Sequence, residues 1–186
     1  MNITQRKVQE FNEVFGPPVR YQLSVPPAEE RHLIVKLIAE ELKELAVSLG
    51  VPINVVLGPV ECVEPDSLVD LVNAAREYAD LIYVVEQGNV RCGIIGDAVF
   101  DEVHRTNMEK APYSEGLAGV RVVTRRADGK VLKPEGWKPP DIKGVLDACE
   151  DLRLAGVDLY DRDNLTLNYK SDWITSAETV DKPETP

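Results

Sequence analysis

Five carboxylates hold the chemical potential of this sequence: Glu40, Glu41 and Glu44 in one run, Glu77 and Asp80 in another. The first run reads Glu-Glu-x-x-Glu inside a long helical pattern. At ~100° per residue, Glu40 and Glu44 stack one turn apart and Glu41 lies round the same side. Glu41 falls close to the apolar line of Ile34, Ile38, Leu42, Leu45 and Leu49. Like charges crowded there repel and lose hydration, so something must compensate. A divalent cation would, while a solvated acidic face is the plainer alternative for this run taken alone. Glu77 and Asp80 stand three residues apart, on one helix face. Their helix, with Leu68, Val69, Leu71, Val72, Ala74, Ala75, Tyr78, Ala79 and the run from Leu81 to Val85, is apolar over most of its circumference, the pattern of a buried helix. Buried charges are paired or coordinate metals, and an ion pair with Arg76 or a distant lysine is the structural alternative. Two antiparallel helices would bring these acids to one small cavity. Carboxylate oxygens suit magnesium or manganese and suit zinc poorly. The chemistry favoured is attack of an activated water on phosphorus, with a spare carboxylate taking the proton.

Further candidates lie downstream. Asn107 and Lys110, at i and i+3, are potential phosphate or sugar ligands, and Lys133 and Lys138 would add positive charge from a loop. Trp137 either stacks on a base or packs that loop down. Each of these has an ordinary surface or packing role as its alternative. Three scattered cysteines, Cys62, Cys92 and Cys149, with only His32 and His104, give no zinc spacing and no disulfide framework.

The elements that must position these residues follow from periodicity and breakers. Thr4 can cap a first helix running to about Val14, ended by Gly16-Pro17-Pro18. A Pro-rich connector leads to a second helix from Ala28 to Leu49, with Gly50 as its stop. After a long connection over 51–65, Asp66 or Ser67 caps the third helix, which continues to Gln87 and stops at Gly88. A fourth helix spans Gly96 to Lys110. Val120 to Thr124 and Val131-Leu132 flank Asp128-Gly129, which predicts a β-hairpin. A rigid basic-aromatic loop over 133–140 leads to a short helix from Asp141 to Arg153. The polar stretch 151–186 reads as an extension to a domain over 1–150, either disordered or wrapping a neighbouring subunit.

Composition sets the outer bounds. The 186 residues are 44% apolar and 28% charged, ordinary for a globular protein. A net charge of −11 argues against nucleic-acid or membrane-surface binding, though not against a small anionic substrate balanced by a metal and a few cations. No apolar run approaches the ~20 residues of a membrane span, and the amino terminus lacks a signal-peptide core, so a cytoplasmic location is expected.

The paired motifs Glu40-Glu41-x-x-Glu44 and Glu77-x-x-Asp80 resemble the signature of the all-α nucleoside triphosphate pyrophosphohydrolases, the MazG-like superfamily. Three later stretches resemble its phosphoribosyl-ATP pyrophosphohydrolase-like branch of bacteria and phages, which includes dUTPase-like members. They are the string from Glu102 to Lys110, the string from Asp128 to Trp137, and Pro140-Asp141-Ile142. The likeness covers roughly Val8 to Ala148; the 51–65 connection and the stretch after Glu150 depart from it. It implies an all-α fold with a four-helix core and a small C-terminal hairpin and loop extension, assembled as a homodimer or homotetramer. It implies magnesium-dependent hydrolysis of a (deoxy)nucleoside triphosphate to the monophosphate and pyrophosphate, in nucleotide-pool control or house-cleaning. Glu41, Glu44, Glu77 and Asp80 would hold metal, and Glu40 or Glu41 would orient or deprotonate water. Asn107 and Lys110 would contact the nucleotide, with Asn12 on the sugar or base side. The alternatives are cleavage of a non-canonical or phosphoribosylated nucleotide, or a non-enzymatic helical interaction or metal-binding bundle. The di-iron form of such a bundle needs two Glu-x-x-His pairs, and here only Asp101-x-x-His104 comes near. The base is left open.

Overall fold

The computed structural model describes residues 3–157, in which five α-helices are joined by turns. They are α1 (Ile3–Phe15), α2 (Ala28–Ser48), α3 (Leu71–Cys92), α4 (Gly96–Met108) and α5 (Ile142–Leu154). None of them is long and apolar enough to cross a membrane. The all-α class follows, as the helical periodicities demand. Of the expected extension over 151–186, the part beyond Val157 lies outside the described residues.

Two units divide the chain: residues 20–82, and the described residues up to Val19 with those from Tyr83 on. In the second of these, Phe15, Met108 and Ala111 form a buried cluster between α1 and α4, joined by Phe11, Val14, Val123 and Val131. Phe11 and Phe15 stack with ring centroids 4.3 Å apart. On the far side of α4, Ile95 and Ala98 meet Cys149 of α5, with Val145, Leu152 and Val157 around them. Burial in this apolar cluster pushes the Cys149 thiol up from its ordinary pKa, as expected of a cysteine that packs and does not react. Polar ties reinforce the helix pairs. Lys7 of α1 is bonded to Asp101 of α4, and Glu10 lies 3.5 Å from His104. Glu102 accepts the Asp141 N–H at 2.8 Å where α5 begins, and Asp141 in turn caps α5 by accepting from Gly144 N–H at 2.9 Å.

In the unit of residues 20–82, α2 starts after Pro27, whose carbonyl accepts from the Glu30 and Arg31 N–H groups at 3.0 Å. Glu29 and Glu30 in its first turn suit the positive end of the helix. The helix ends at Gly50 (φ +69°), with Val51 N–H bonded to Ala46 O and Gly50 N–H to Val47 O, a stop that needs a left-handed residue. The connection over 51–65, for which the sequence pattern predicts no element, is tied back to the start of α2. Arg31 donates to Pro26 O, Glu64 O and Asp66 Oδ1 at 2.5–2.6 Å, and His32 Nε2 lies 2.9 Å from Gly58 O.

Four expectations are corrected. The third helix starts five residues later than Asp66: Asp66–Leu68 is a separate 3-10 turn, Val69 is extended, and Asp70 provides the cap by accepting from Asn73 N–H at 3.0 Å. It also runs through Gly88 to Cys92 and ends at Gly93 (φ +69°). An interior glycine costs a helix only ~1 kcal/mol, so Gly88 weakens the helix without ending it. No residue of α3 is buried, and Val72, Tyr78, Leu81 and Val84 are exposed despite the apolar circumference. Periodicity reports what a helix is suited to pack against, and the described residues do not bury it. Finally, no β-strand forms among the described residues. The Asp128-Gly129 turn is closed by one isolated bridge, Arg125 to Val131, and a second bridge joins Tyr113 to Arg121. Val123 and Val131 dock on the α1–α4 cluster, so the chain leaves the ladder after one pair.

Candidate active site

The acidic candidates all lie in the unit of residues 20–82. Glu40, Glu41 and Glu44 are exposed on α2, and the Glu40 carboxylate lies 3.8 Å from Lys36 one turn earlier. On α3, Glu77 and Asp80 are exposed as well, which corrects the expectation of buried carboxylates. Glu77 pairs with the neighbouring Arg76 at 2.8 Å, and Arg76 also donates to Asn73 Oδ1 at 2.7 Å. Both partners are more than half exposed, so the pair is worth at most ~1 kcal/mol and does not commit Glu77 to a structural role. Among the described residues, no three Asp, Glu, His or Cys side chains gather where one metal ion would be held. The donor set still fits magnesium, which takes one or two carboxylates and completes its shell with water and substrate phosphates.

The basic candidates converge closely. Lys110, just past the end of α4, donates to Asn107 Oδ1 at 2.6 Å. Its ammonium lies 5.7 Å from the centre of the Trp137 ring, and that of Lys133 lies 4.0 Å from the same ring. The Trp137 Nε1–H donates to Thr106 O at 2.8 Å, which fixes the indole edge to α4. Among the described residues neither ammonium is paired with a carboxylate, although acids outnumber bases in this chain 32 to 21. Partial burial, and secondly the Lys133 charge, lower the pKa of Lys110. The cluster is thus a preformed cationic patch on an aromatic base, suited to an anion. The Trp137 ring carries two lysine ammonium groups, an arrangement stabilised by cation–π attraction. Asn12 is half-buried in the last turn of α1, where its carbonyl accepts the Gly16 N–H at 2.7 Å. Asp101 and His104, the nearest approach to a di-iron ligand pair, are engaged with Lys7 and Glu10.

Two residues of this region escape a reading of the sequence. Thr106 is fully buried and its carbonyl anchors Trp137. Arg121 donates from Nη1 to Met108 O at 2.9 Å and Ala111 O at 3.0 Å, and its guanidinium sits 4.3 Å from the centre of the Tyr113 ring. An arginine a dozen residues beyond a helix end gives no periodic signal; only the unsatisfied carbonyls that every helix end must leave hint that some donor is needed.

Comparison with known proteins bears on both sets. No curated protein matches the chain. A solved structure from Exiguobacterium sp. 255-15, of a protein proposed to be an NTP pyrophosphohydrolase, is similar with a TM-score of 0.57. The likeness covers 83% of this chain and 98% of the other at 19% identity, so it speaks for the fold. Residues 8–107 match the phosphoribosyl-ATP pyrophosphohydrolase family, a span that includes all five acids and Asn107 and stops short of Lys110, Lys133 and Trp137. With more than half of its length matched, the chain belongs to that family, within the all-α nucleoside triphosphate pyrophosphohydrolases.

Proposed function

We propose that this protein hydrolyses a (deoxy)nucleoside triphosphate to the nucleoside monophosphate and pyrophosphate, as a homodimer or homotetramer, in the control or cleaning of a nucleotide pool. The observation that carries this reading is the pair of ammonium groups, Lys110 and Lys133, gathered on Trp137 with no carboxylate partner among the described residues. Holding like charges together is unfavourable, and an incoming phosphate chain would relieve it. Family membership supplies the second support, because the family is named for breaking a phosphoanhydride and releasing pyrophosphate.

In this reading Glu41, Glu44, Glu77 and Asp80 hold magnesium, for which manganese can substitute. When bound, magnesium supplies charge neutralisation across the phosphates. Lys110 and Lys133 hold the phosphate chain, and Asn107 keeps Lys110 in position through its Oδ1 while its amide N–H groups face the nucleotide. Glu40 or Glu41 takes a proton from the attacking water. The water oxygen bonds to the α-phosphorus as the α–β bridging bond breaks, and the electron pair leaves with pyrophosphate. No phosphoenzyme and no diphosphate intermediate form.

The test is turnover of dATP, dCTP, dGTP, dTTP and dUTP with magnesium, with pyrophosphate and orthophosphate measured separately and the reaction run in ¹⁸O-labelled water. Pyrophosphate without orthophosphate, and label in the monophosphate, is the expected result. Label in pyrophosphate would place attack on the β-phosphorus and refute the mechanism. A second reading, cleavage of a phosphoribosylated or non-canonical nucleotide, is favoured by the family's name. It predicts that none of the five substrates turns over well while phosphoribosyl-ATP or a damaged nucleotide does.

A further inference from the structure

We propose that Arg121 is a positioning residue for phosphate capture, setting the backbone turn from which Lys110 projects. The inference rests on the nucleotide-binding reading of the Lys110 cluster.

Lys110 stands in the frayed end of α4, where the helix gives way to tight turns: Lys110 N–H bonds to Asn107 O at 3.2 Å and Ala111 N–H to Met108 O at 3.1 Å. Such an end leaves carbonyls without partners inside the helix, and they fray unless a donor holds them. Arg121 donates to two carbonyls, one on either side of Lys110: Met108 O at the helix end, which also accepts the Ala111 N–H, and Ala111 O in the turn beyond. Both bonds leave from the same nitrogen, Nη1, so the two carbonyls are kept at a fixed separation and the backbone between them has little freedom. A cation at the negative end of a helix is favourable in its own right. Arg121 is itself held, by the Tyr113 ring beneath it and by the bridge between those two residues. Neighbouring Met108 and Ala111 side chains are buried, so the turn is anchored from the apolar side as well.

The arrangement separates two tasks. Asn107 and Trp137 set where the Lys110 ammonium points, while Arg121 sets where its backbone stands. Without Arg121 the lysine would still be present and charged, yet it would sample more positions and lose more entropy on meeting a phosphate chain. The effect therefore belongs in binding and only weakly in the chemical step.

The experiment compares Arg121→Met, which keeps the apolar stem and drops the donors, with Arg121→Lys. Each is measured with magnesium and whichever of the five triphosphates above turns over fastest. Arg121→Met should raise KM about tenfold, the range for losing hydrogen bonds to a charged group, with kcat within about twofold. Arg121→Lys should restore part of the loss, because it keeps a charged N–H donor on a side chain one bond shorter. In a Lys110→Ala background, Arg121→Met should add nothing. Were Arg121→Met unable to fold, Arg121→Gln would carry the same comparison. Additive losses in the double variant, or a lowered melting temperature with unchanged KM, would overturn the positioning role and leave the nucleotide reading standing. Unchanged kcat/KM in Lys110→Ala alone would refute the nucleotide reading and this inference with it.

Discussion

In the unit built on α1, α4 and α5, polar side chains end on partners within the chain: Trp137 on Thr106, Arg121 on two helix-end carbonyls, Glu102 on Asp141 and Arg105. In the unit of residues 20–82 the groups of greatest chemical interest face solvent. Glu40, Glu41, Glu44, Glu77 and Asp80 are exposed, and so are Leu33, Leu37, Leu42, Leu45, Val72 and Leu81. The first unit fixes its charged groups before any ligand arrives, which lowers the entropic cost of binding. In the second, these acids and apolar side chains are exposed among the described residues, and in the proposed reading they recruit a cation and a second copy of the chain. Preorganisation in one region and recruitment in the other predict different responses to mutation.

The largest effects should come from the acids. Glu44→Gln or Asp80→Asn should reduce turnover at least ~100-fold, because a metal's charge stabilisation is worth several kcal/mol, while the circular dichroism of the fold stays unchanged. Parallel collapse of helical signal in metal-free buffer would instead make these residues structural.

The apolar faces give the next test. An exposed apolar surface of this extent is typical of an interface. The protein should therefore run as a dimer or tetramer by light scattering at micromolar concentration, and Leu81→Asp should shift it toward monomer. A monodisperse wild-type monomer would remove the contrast between the units.

Lys110→Ala should weaken triphosphate binding or slow the step by about 1–3 kcal/mol. Its pH dependence carries a sign. Burial and Lys133 hold the Lys110 pKa below the ordinary 10.5, so the ammonium is lost earlier than an exposed lysine's as pH rises. KM should climb in that window, and the climb should be absent in the alanine variant. Stability runs the other way there: the unfolded chain binds more protons, so folding becomes more favourable with rising pH.

The smallest effect concerns the α4–α5 link. Arg105, and secondly the Asp141 N–H, hold the Glu102 pKa below its usual range against the opposing effect of burial. Glu102→Gln should cost about 1 kcal/mol at neutral pH, since Arg105 is half exposed and its share is screened. The depressed carboxylate contributes above its unfolded pKa and loses that contribution as pH falls through its folded value, so the variant and wild type should converge in acid.

Much of the local structure was legible in the residues themselves. Gly50 after α2, the Pro-ended first helix and the start of α5 next to Asp141 follow from backbone sterics and hydrogen bonding within a few positions, which a sequence displays directly. The third helix was misjudged at both ends because Asp66, Ser67 and Asp70 are all competent caps, and Gly88 a competent stop, until the backbone at Val69 and Gly93 decides among them. The hairpin failed for a related reason: the Asp-Gly turn is a local instruction, whereas extending a ladder depends on what Val123 and Val131 pack against.

By itself the sequence determined the all-α class and where carboxylates and ammonium groups stand along the chain, because side-chain chemistry and helical period are properties of short stretches. Tertiary structure alone decided that Lys110 and Lys133 share one indole, that Trp137 is tied to Thr106, and that Arg121 holds the turn between Met108 and Ala111. Those contacts join residues up to 31 positions apart, and nothing in local propensity encodes which distant donor will meet a given carbonyl. It likewise decided that no residue of α3, apolar nearly all round, is buried among the described residues, because burial is a property of the neighbours a helix finds and not of the helix.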